Sequence, residues 1–337
     1  MSTFKEIRGQ LIRSLATDPS PLLKGQMWYN STSGTLKGAK NIGGAFASAP
    51  AMNVNRFNCR GMIGSKTTAL VMGGGDPTGA FLGTSEEYNG SAWTAGGALP
   101  AVTTSPGGGG TSASAFSSGG NSPTDTRLDT SNNYDGSTWT ASGTMVTASG
   151  QGAGNGTQTA GIHVGGRPTT PSAYLTTTQE YDGSNWTTGG VYPTGVGYNL
   201  NIGTQTAALC GNGLNAGTTL NDNTNEYDGS SWTAGGTINS IRYAAGGFGI
   251  QTSAIMGGGG PGAVAGIATE SYDGSSWTTA ASQATQAEYR MGSGTSNTSG
   301  LIMGGNNSPV GTGPNNATNV TEEWTDPTTG AVTVTTS

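Results

Sequence analysis

The sequence predicts an all-β protein, a β-propeller of six blades preceded by a short N-terminal docking segment. Three observations predict it. A Tyr-Asp/Asn-Gly-Ser-x-Trp hexapeptide occurs five times, its tyrosines spaced by 46, 47, 46 and 45 residues. An apolar run ending in glycines leads each copy by 14 or 15 residues, and a sixth such run has a divergent sequel. Glycine supplies 61 of 337 residues, and each interior helical glycine costs ~1 kcal/mol relative to alanine. A fixed period near 45 residues marks a repeat architecture, and four short strands in that span make one blade.

The first strand of a unit ends near Gly64, Gly156, Gly203, Gly249 or Gly294, ahead of turns such as GTQTA (156–160, 203–207) and GIQTSA (249–254). The second is the apolar run: ALVMGGG (69–75), SAFSSGG (114–120), GIHVGG (161–166), AALCGNG (207–213), SAIMGGGG (253–260) and LIMGG (301–305). These runs align Gly74, Gly120, Gly166, Asn212, Gly258 and Gly305. The third strand runs into Tyr88, Tyr134, Tyr181, Tyr227 or Tyr272, and the fourth carries Trp93, Trp139, Trp186, Trp232 or Trp277. In the sixth unit Trp324 stands at the tyrosine position. Asp-Gly or Asn-Gly between Tyr and Trp predicts a type I′ hairpin, in which both central residues have φ > 0. One Tyr and one Trp at a fixed place in each unit predict packing between blades in preference to a sugar-stacking surface. The loops 76–84, 121–131, 167–178, 213–224, 260–269 and 306–320 differ in every copy and are expected on one face.

Charge is unevenly placed. Residues 1–50 carry six Lys/Arg against two acids, and residues 51–337 carry seven against seventeen. An acidic body does not suit nucleic-acid phosphates. No run of 18 apolar residues suggests membrane insertion. The start MSTFKEIRGQLIRSL lacks the apolar core of a signal peptide, so synthesis in a cytoplasm without export is expected. Cys59 and Cys210 lie 151 residues apart and suggest no disulfide framework.

The chemistry-bearing residues are few. His163 is the one histidine and aligns with Val71, Leu209, Ile255 and Ile302, so it reads as a sheet residue with no partner for a metal site. Cys210 aligns with Met72, Val164, Met256 and Met303 and reads as a packing residue, while Cys59 is ambiguous. Asp135, Asp182, Asp228 and Asp273 read as turn residues, since Asn89 replaces them in the first copy. Arg56, Arg60, Arg127, Arg167, Arg242 and Arg290 are the arginines a sialidase-type cluster could draw on; the sequence leaves their convergence open. The expectation is therefore no catalytic residue, no cofactor, no metal, and not an enzyme.

Residues 1–51 break the repeat; they could form a partial seventh blade or a strand that closes the ring, and they are assigned as a separate docking segment, with 52–337 as the propeller. Phe4, Ile7, Leu11 and Leu15 fall at helical spacing, but Gly9 opposes a helix and Asp18-Pro19 ends it. The apolar set Phe4, Ile7, Leu11, Leu22, Leu23, Met27 and Trp28 is expected to dock on the propeller or on another chain. A segment this small cannot sustain a core alone.

The order apolar–Gly-Gly, then Tyr, then Trp resembles the kelch repeat over about 52–337, with a shorter Tyr–Trp turn. That family's glycines end the second strand, and its Tyr and Trp pack between blades. The stretch GQMWYNSTSGTLKG (25–38) resembles a segment common near the N-termini of bacteriophage tail-fibre and other virion appendage proteins. The resemblance implies a virion structural protein, made in the host cytoplasm and docked on other virion proteins through its N-terminal segment. Host-surface adsorption, a host-surface glycan partner and a homo-oligomer are open extensions. The alternatives are a free lectin-like propeller and a glycosidase.

Overall fold

The structure, a computed structural model, describes residues 12–23, 26–42, 44–169, 173–216, 219–261, 266–307, 316–325 and 328–334. It is all-β and forms two compact units, residues 45–325 and residues 1–44 with 326–337. The larger unit is propeller-like, a set of small, mainly antiparallel sheets of three to five strands.

The unit boundaries differ from those expected at residues 51 and 52. Ala45–Ala49 is a strand of the large unit, paired antiparallel with Thr321–Thr325. Phe46 lies opposite Trp324, ring centroids 5.0 Å apart. The cause is visible in the repeat: the sixth unit has no Tyr-Asp-Gly-Ser-x-Trp copy to supply an outer strand, so the N-terminal segment supplies it. Residues 326–337, expected in the propeller, belong to the small unit.

The third, fourth and fifth repeat units each form a four-stranded sheet in chain order, beginning with strands Ala153–Thr157, Leu200–Thr204 and Gly246–Ile250. The first sheet keeps only Ala69–Met72, Ser85–Tyr88 and Trp93–Ala95. Its expected first strand, Met62–Ile63, instead runs parallel to Gly107–Thr111 of the second sheet. Glycine permits that approach: a Cβ on Gly61 would come within 3.0 Å of the Gly108 backbone.

Tyr faces Trp across each outer hairpin, as in Tyr134↔Trp139 and Tyr181↔Trp186. The turns are not type I′. Only the glycines, such as Gly136 at φ 91° and Gly183 at φ 101°, are left-handed; the aspartates are not. Each loop has four residues, and the aspartate closes it with its side chain. Asp135 Oδ1 accepts the Ser137 and Thr138 N–H groups, both at 2.8 Å. Such bonds hold Asp135, Asp182 and Asp228 well below the usual carboxylate range, and Asp273 at about 2. Backbone angles also correct one alignment. Asn212 (φ 52°) and Gly258 (φ 69°) match Gly73 (φ 60°), one residue before the Gly74 position.

Neighbouring sheets are joined by the same bonds repeatedly. The Trp186 indole donates to Ser131 Oγ at 3.0 Å, and Trp232 to Thr178 Oγ1 at 2.8 Å. The Tyr227 hydroxyl donates to Glu180 at 2.6 Å and Tyr272 to Glu226 at 2.8 Å. The glutamine of each Gly-x-Gln turn reaches back one sheet. Gln205 Nε2 donates to the carbonyls of Gly161 (2.9 Å) and Tyr181 (3.0 Å), and Gln158 and Gln251 do the same. Lys66 occupies that turn position in the first unit and pairs with Glu323 of the sixth.

Three ion pairs are almost fully buried: Arg56–Glu86, Arg242–Glu270 and Arg290–Glu322. Their carboxylates are two residues before Tyr88, Tyr272 and Trp324, and they also accept backbone N–H groups of the segment leading into the sheet. Sheets two, three and four carry Asn132, Gln179 and Asn225 there.

The small unit is one sheet in the order Arg13–Leu15, Met27–Asn30, Thr35–Ile42, Thr328–Thr333. The first pair is parallel and the others antiparallel. Leu15 therefore lies in a strand, not a helix; Phe4, Ile7 and Leu11 fall outside the described residues. Asp18 organises the unit. Its Oδ1 accepts Trp28 Nε1 (3.1 Å) and Asn30 Nδ2 (2.7 Å), and its Oδ2 pairs with Lys37 Nζ (2.9 Å). Lys37 and Asn30 hold its carboxyl below the usual range.

Candidate functional site

The six segments that lead into the first strands share a backbone feature. Asn58, Ser105, Gln151, Tyr198, Ala244 and Tyr289 are all left-handed, at φ 57°, 55°, 66°, 55°, 54° and 57°. Consecutive members are tied by backbone bonds: Ser105 N–H to Asn58 C=O, Tyr198 to Gln151 and Ala244 to Tyr198, each at 2.8 Å. The residues just before them bridge to the starts of the variable loops, for example Gly150 with Arg167 and Glu288 with Asn306. The variable loops and this central patch therefore share a face.

The backbone repeats here, but the side chains do not. Units one to three contribute the neutral polar residues Asn58, Ser105 and Gln151. Units four to six contribute an aromatic cluster. Tyr198, Tyr243 and Tyr289 meet edge to face with ring centroids 5.7–5.9 Å apart, and all three are half-buried. Phe57 adds a further edge contact to Tyr289 at 6.2 Å. Arg60 lies two residues beyond the left-handed position, where other units have Gly107, Ala153, Leu200, Gly246 and Met291. Its guanidinium sits 5.2 Å from the Tyr198 ring centroid and donates from Nη2 to the Asn199 carbonyl at 2.8 Å. Burial pulls it down to about 10, so it stays charged at neutral pH. A cavity of about 20 Å³ beside Arg60, Asn199 and Asn201 has room for about one water.

Burial raises Tyr174, Tyr198, Tyr243 and Tyr289 above the usual tyrosine range, so their hydroxyls remain donors. Tyr243 donates to Glu288 at 3.0 Å. The patch can attract an anion, stack a flat ring and hydrogen-bond neutral hydroxyls. Among the described residues, no group of three or more His, Cys, Asp or Glu is placed to hold a metal ion.

The residues singled out from sequence lie elsewhere. Trp93, Trp139, Trp186 and Trp277 are 5–6% exposed between sheets, and Trp232 is half-buried. Tyr88, Tyr134, Tyr181, Tyr227 and Tyr272 are buried beside them, with Tyr–Trp centroids 4.7–5.0 Å apart, and Trp324 is buried too. Of the docking set, Leu23 and Met27 are exposed and Leu22 half-buried. Trp28 is fully buried, because its indole turns inward to Asp18. Four of the arginines are committed elsewhere: Arg56, Arg242 and Arg290 are held in separate ion pairs, and Arg127 pairs with Asp125. Burial raises Cys59 to about 11 and Cys210 to about 12, so both thiols stay protonated.

His163 is fully enclosed. Its Nδ1 bonds Ser118 Oγ at 2.9 Å and its Nε2 bonds Ser149 Oγ at 3.0 Å, joining two neighbouring sheets. Burial, reinforced by the Arg60 charge, lowers it to about 4 from the ordinary 6.5. As pH falls through 6.5 the unfolded chain takes up a proton that the folded chain refuses. Stability is expected to drop by about 2 kcal/mol between pH 7 and pH 5, before carboxylates titrate. Urea unfolding at both pH values should show this drop, and His163→Gln should flatten it.

The central patch escaped sequence reading because its residues fall where the copies disagree. Aligning the copies ahead of the first strand would have placed Tyr198 and Tyr289 opposite Asn58, Ser105 and Gln151.

No protein-family model matches the chain. No curated protein matches it either. Among solved structures, that of YjhT aligns with a TM-score of 0.66 and 13% identity, covering 85% of this chain and 100% of that one. At that identity the likeness is one of fold.

Proposed function

We propose that the large unit is a closed six-bladed propeller of kelch-like repeats, and that the chain is a structural appendage of a bacteriophage virion. Bonds between successive sheets support the ring, and so do bonds from the first repeat unit to the sixth. Lys66 pairs with Glu323, and Ser293 Oγ donates to the Ile63 carbonyl at 2.8 Å. The glycines ending each second strand and the Tyr–Trp packing between sheets support the kelch likeness.

One observation carries the appendage reading: the segments on either side of the large unit, Arg13–Ile42 and Thr328–Thr333, share a sheet of their own in a separate unit. Its central hairpin, Met27–Asn30 with Thr35–Ile42, is the stretch that resembles the attached end of virion proteins. Exposed Leu23, Met27 and Tyr29 offer it contacts to other virion proteins or to a second copy. The propeller is then the displayed part, with the loop face turned to adsorption on a host-surface glycan. This reading involves no catalysis, cofactor, nucleic acid or membrane insertion. A free lectin would use the same face. A glycosidase needs two carboxyl groups facing each other across the bond it cleaves, roughly 5–10 Å apart, whereas the tyrosines of the patch bond one, Glu288.

Mass spectrometry of purified particles tests the proposal. The full chain should co-purify with them. A chain of residues 45–325 should stay folded and soluble but be absent from them. A full chain found only free, or a trimmed chain still on particles, overturns the reading.

A further inference from the structure

We propose that the second sheet carries a pocket for a phenol ring, borne either by a tyrosine of another chain or by a free phenol. The pocket shares no lining residue with the central patch, and the proposal does not depend on the virion reading.

The first support comes from comparing the copies. Five sheets place a side chain of their own between the leading segment and the strands. Arg56, Arg242 and Arg290 do so in sheets one, five and six. Each donates to the carbonyl of the glycine after the second strand: Gly73 at 3.0 Å, Gly258 at 3.4 Å and Gly304 at 3.2 Å. In sheet three Ser149 Oγ donates to the Gly165 carbonyl at 2.8 Å. In sheet four Tyr192 lies there, 1% exposed. In the second unit Thr103 stands at the place of Arg56 and Arg242, and its hydroxyl turns to the Asn121 carbonyl at 3.2 Å. Pro100 stands where Asn53 and Asn239 give an N–H to the carboxylate, and it has none to give. What remains is a cavity of about 300 Å³ beside Gly119, the counterpart of Gly73. That is the lower end of the range of ligand pockets.

The second support is the lining. Thr103, Ser117 and Gly119 are buried at the inner end, while Pro100, Ala101 and Ala141 are exposed, so a ligand can enter from solvent. None of the lining residues is charged. Asn132 replaces the carboxylate of Glu86, and its Nδ2 donates to Ser117 Oγ at 3.0 Å, which leaves Oδ1 to accept. A guanidinium would have no counter-ion here, so the pocket suits a neutral hydroxyl.

The third is a template within the chain. Sheet four also carries asparagine at this position, and there the occupant is a phenol. Asn225 Nδ2 donates to the Tyr192 hydroxyl at 2.9 Å, and that hydroxyl donates to the Cys210 carbonyl at 3.2 Å. Asn132 and Ser117 stand at the positions of Asn225 and Cys210. The second unit has Leu99 in place of Tyr192; their N–H groups bond equivalent carbonyls of the preceding unit, Gly83 at 2.7 Å and Thr176 at 2.8 Å. Sheet two thus keeps the groups that hold a phenol oxygen and lacks the phenol. A ring with an apolar body and one polar end matches apolar Pro100, Ala101 and Ala141 outside and polar Asn132 and Ser117 within.

Isothermal titration of the full chain with N-acetyl-tyrosine amide and with p-cresol tests the site, with the amides of N-acetyl-phenylalanine and N-acetyl-arginine as controls. Saturable binding of a phenol at about millimolar Kd or tighter is expected, with both controls at least about tenfold weaker. Tighter binding of the tyrosine amide assigns the pocket to another chain, and tighter binding of p-cresol to a free phenol. Asn132→Glu should reverse the preference, weakening the phenol about tenfold and admitting the arginine amide. If Asn132→Glu fails to fold, Ala141→Trp decides, because Ala141 is exposed at the mouth. It should weaken the phenol about tenfold without lowering the thermal midpoint. Absence of saturable phenol binding, equal binding of the phenylalanine amide, or unchanged affinity in the deciding variant overturns the proposal.

Discussion

A chain beginning at residue 50 is expected to lose the fold of the large unit, whereas a chain of residues 45–325 keeps it. The difference is one strand. Ala45–Ala49 covers the edge of Thr321–Thr325 along five register pairs, and Phe46 shields Trp324, which is 2% exposed. Backbone bonds at a net ~1 kcal/mol each, with the aromatic pair, give a loss of about 5 kcal/mol. That is a large part of the 5–15 kcal/mol that holds a typical domain together. Urea unfolding of chains 45–325 and 50–325, followed by tryptophan fluorescence, makes the comparison. Equal midpoints for 45–325 and 50–325 would show that the strand closes nothing.

Trp186→Ala is expected to cost about 3–5 kcal/mol, the usual toll of removing a buried large aromatic. Its ring stacks on Tyr181 at 4.8 Å and meets Phe116 of the neighbouring sheet edge-on at 5.9 Å. Its indole bond to Ser131 is lost as well. Trp232→Ala should cost less, since that ring is only half-buried. Thermal and urea unfolding measure both. If Trp186→Ala kept full stability while abolishing saccharide binding, the ring would be a ligand platform and not packing.

The repeat was legible because its signals are local. Glycine pairs, aspartate turns and β-formers each act within a few residues, and copies that agree reinforce one another. The sixth sheet was less so. A closing strand from the N-terminal segment was one open alternative, but AFASA itself carries no mark of a strand partnered by residues some 275 positions away. The buried Arg–Glu pairs were hidden for a similar reason, since Arg56 and Glu86 meet only once the leading segment folds over its own sheet. Trp28 misled because apolar residues outside the repeat look unpartnered until Asp18 is known to face them.

Near-identical tandem units risk being miscounted as they fold, since a leading segment could settle on the wrong sheet. The buried ion pairs act as an address against that error. A segment carrying Arg242 or Arg290 finds its carboxylate only on a sheet with Glu270, Glu322 or Glu86. On the sheets with Asn132, Gln179 or Asn225 it would bury a cation alone, at a cost of about 3–5 kcal/mol. The marked sheets are the first and the last two, where the chain must recognise its own beginning after building everything between.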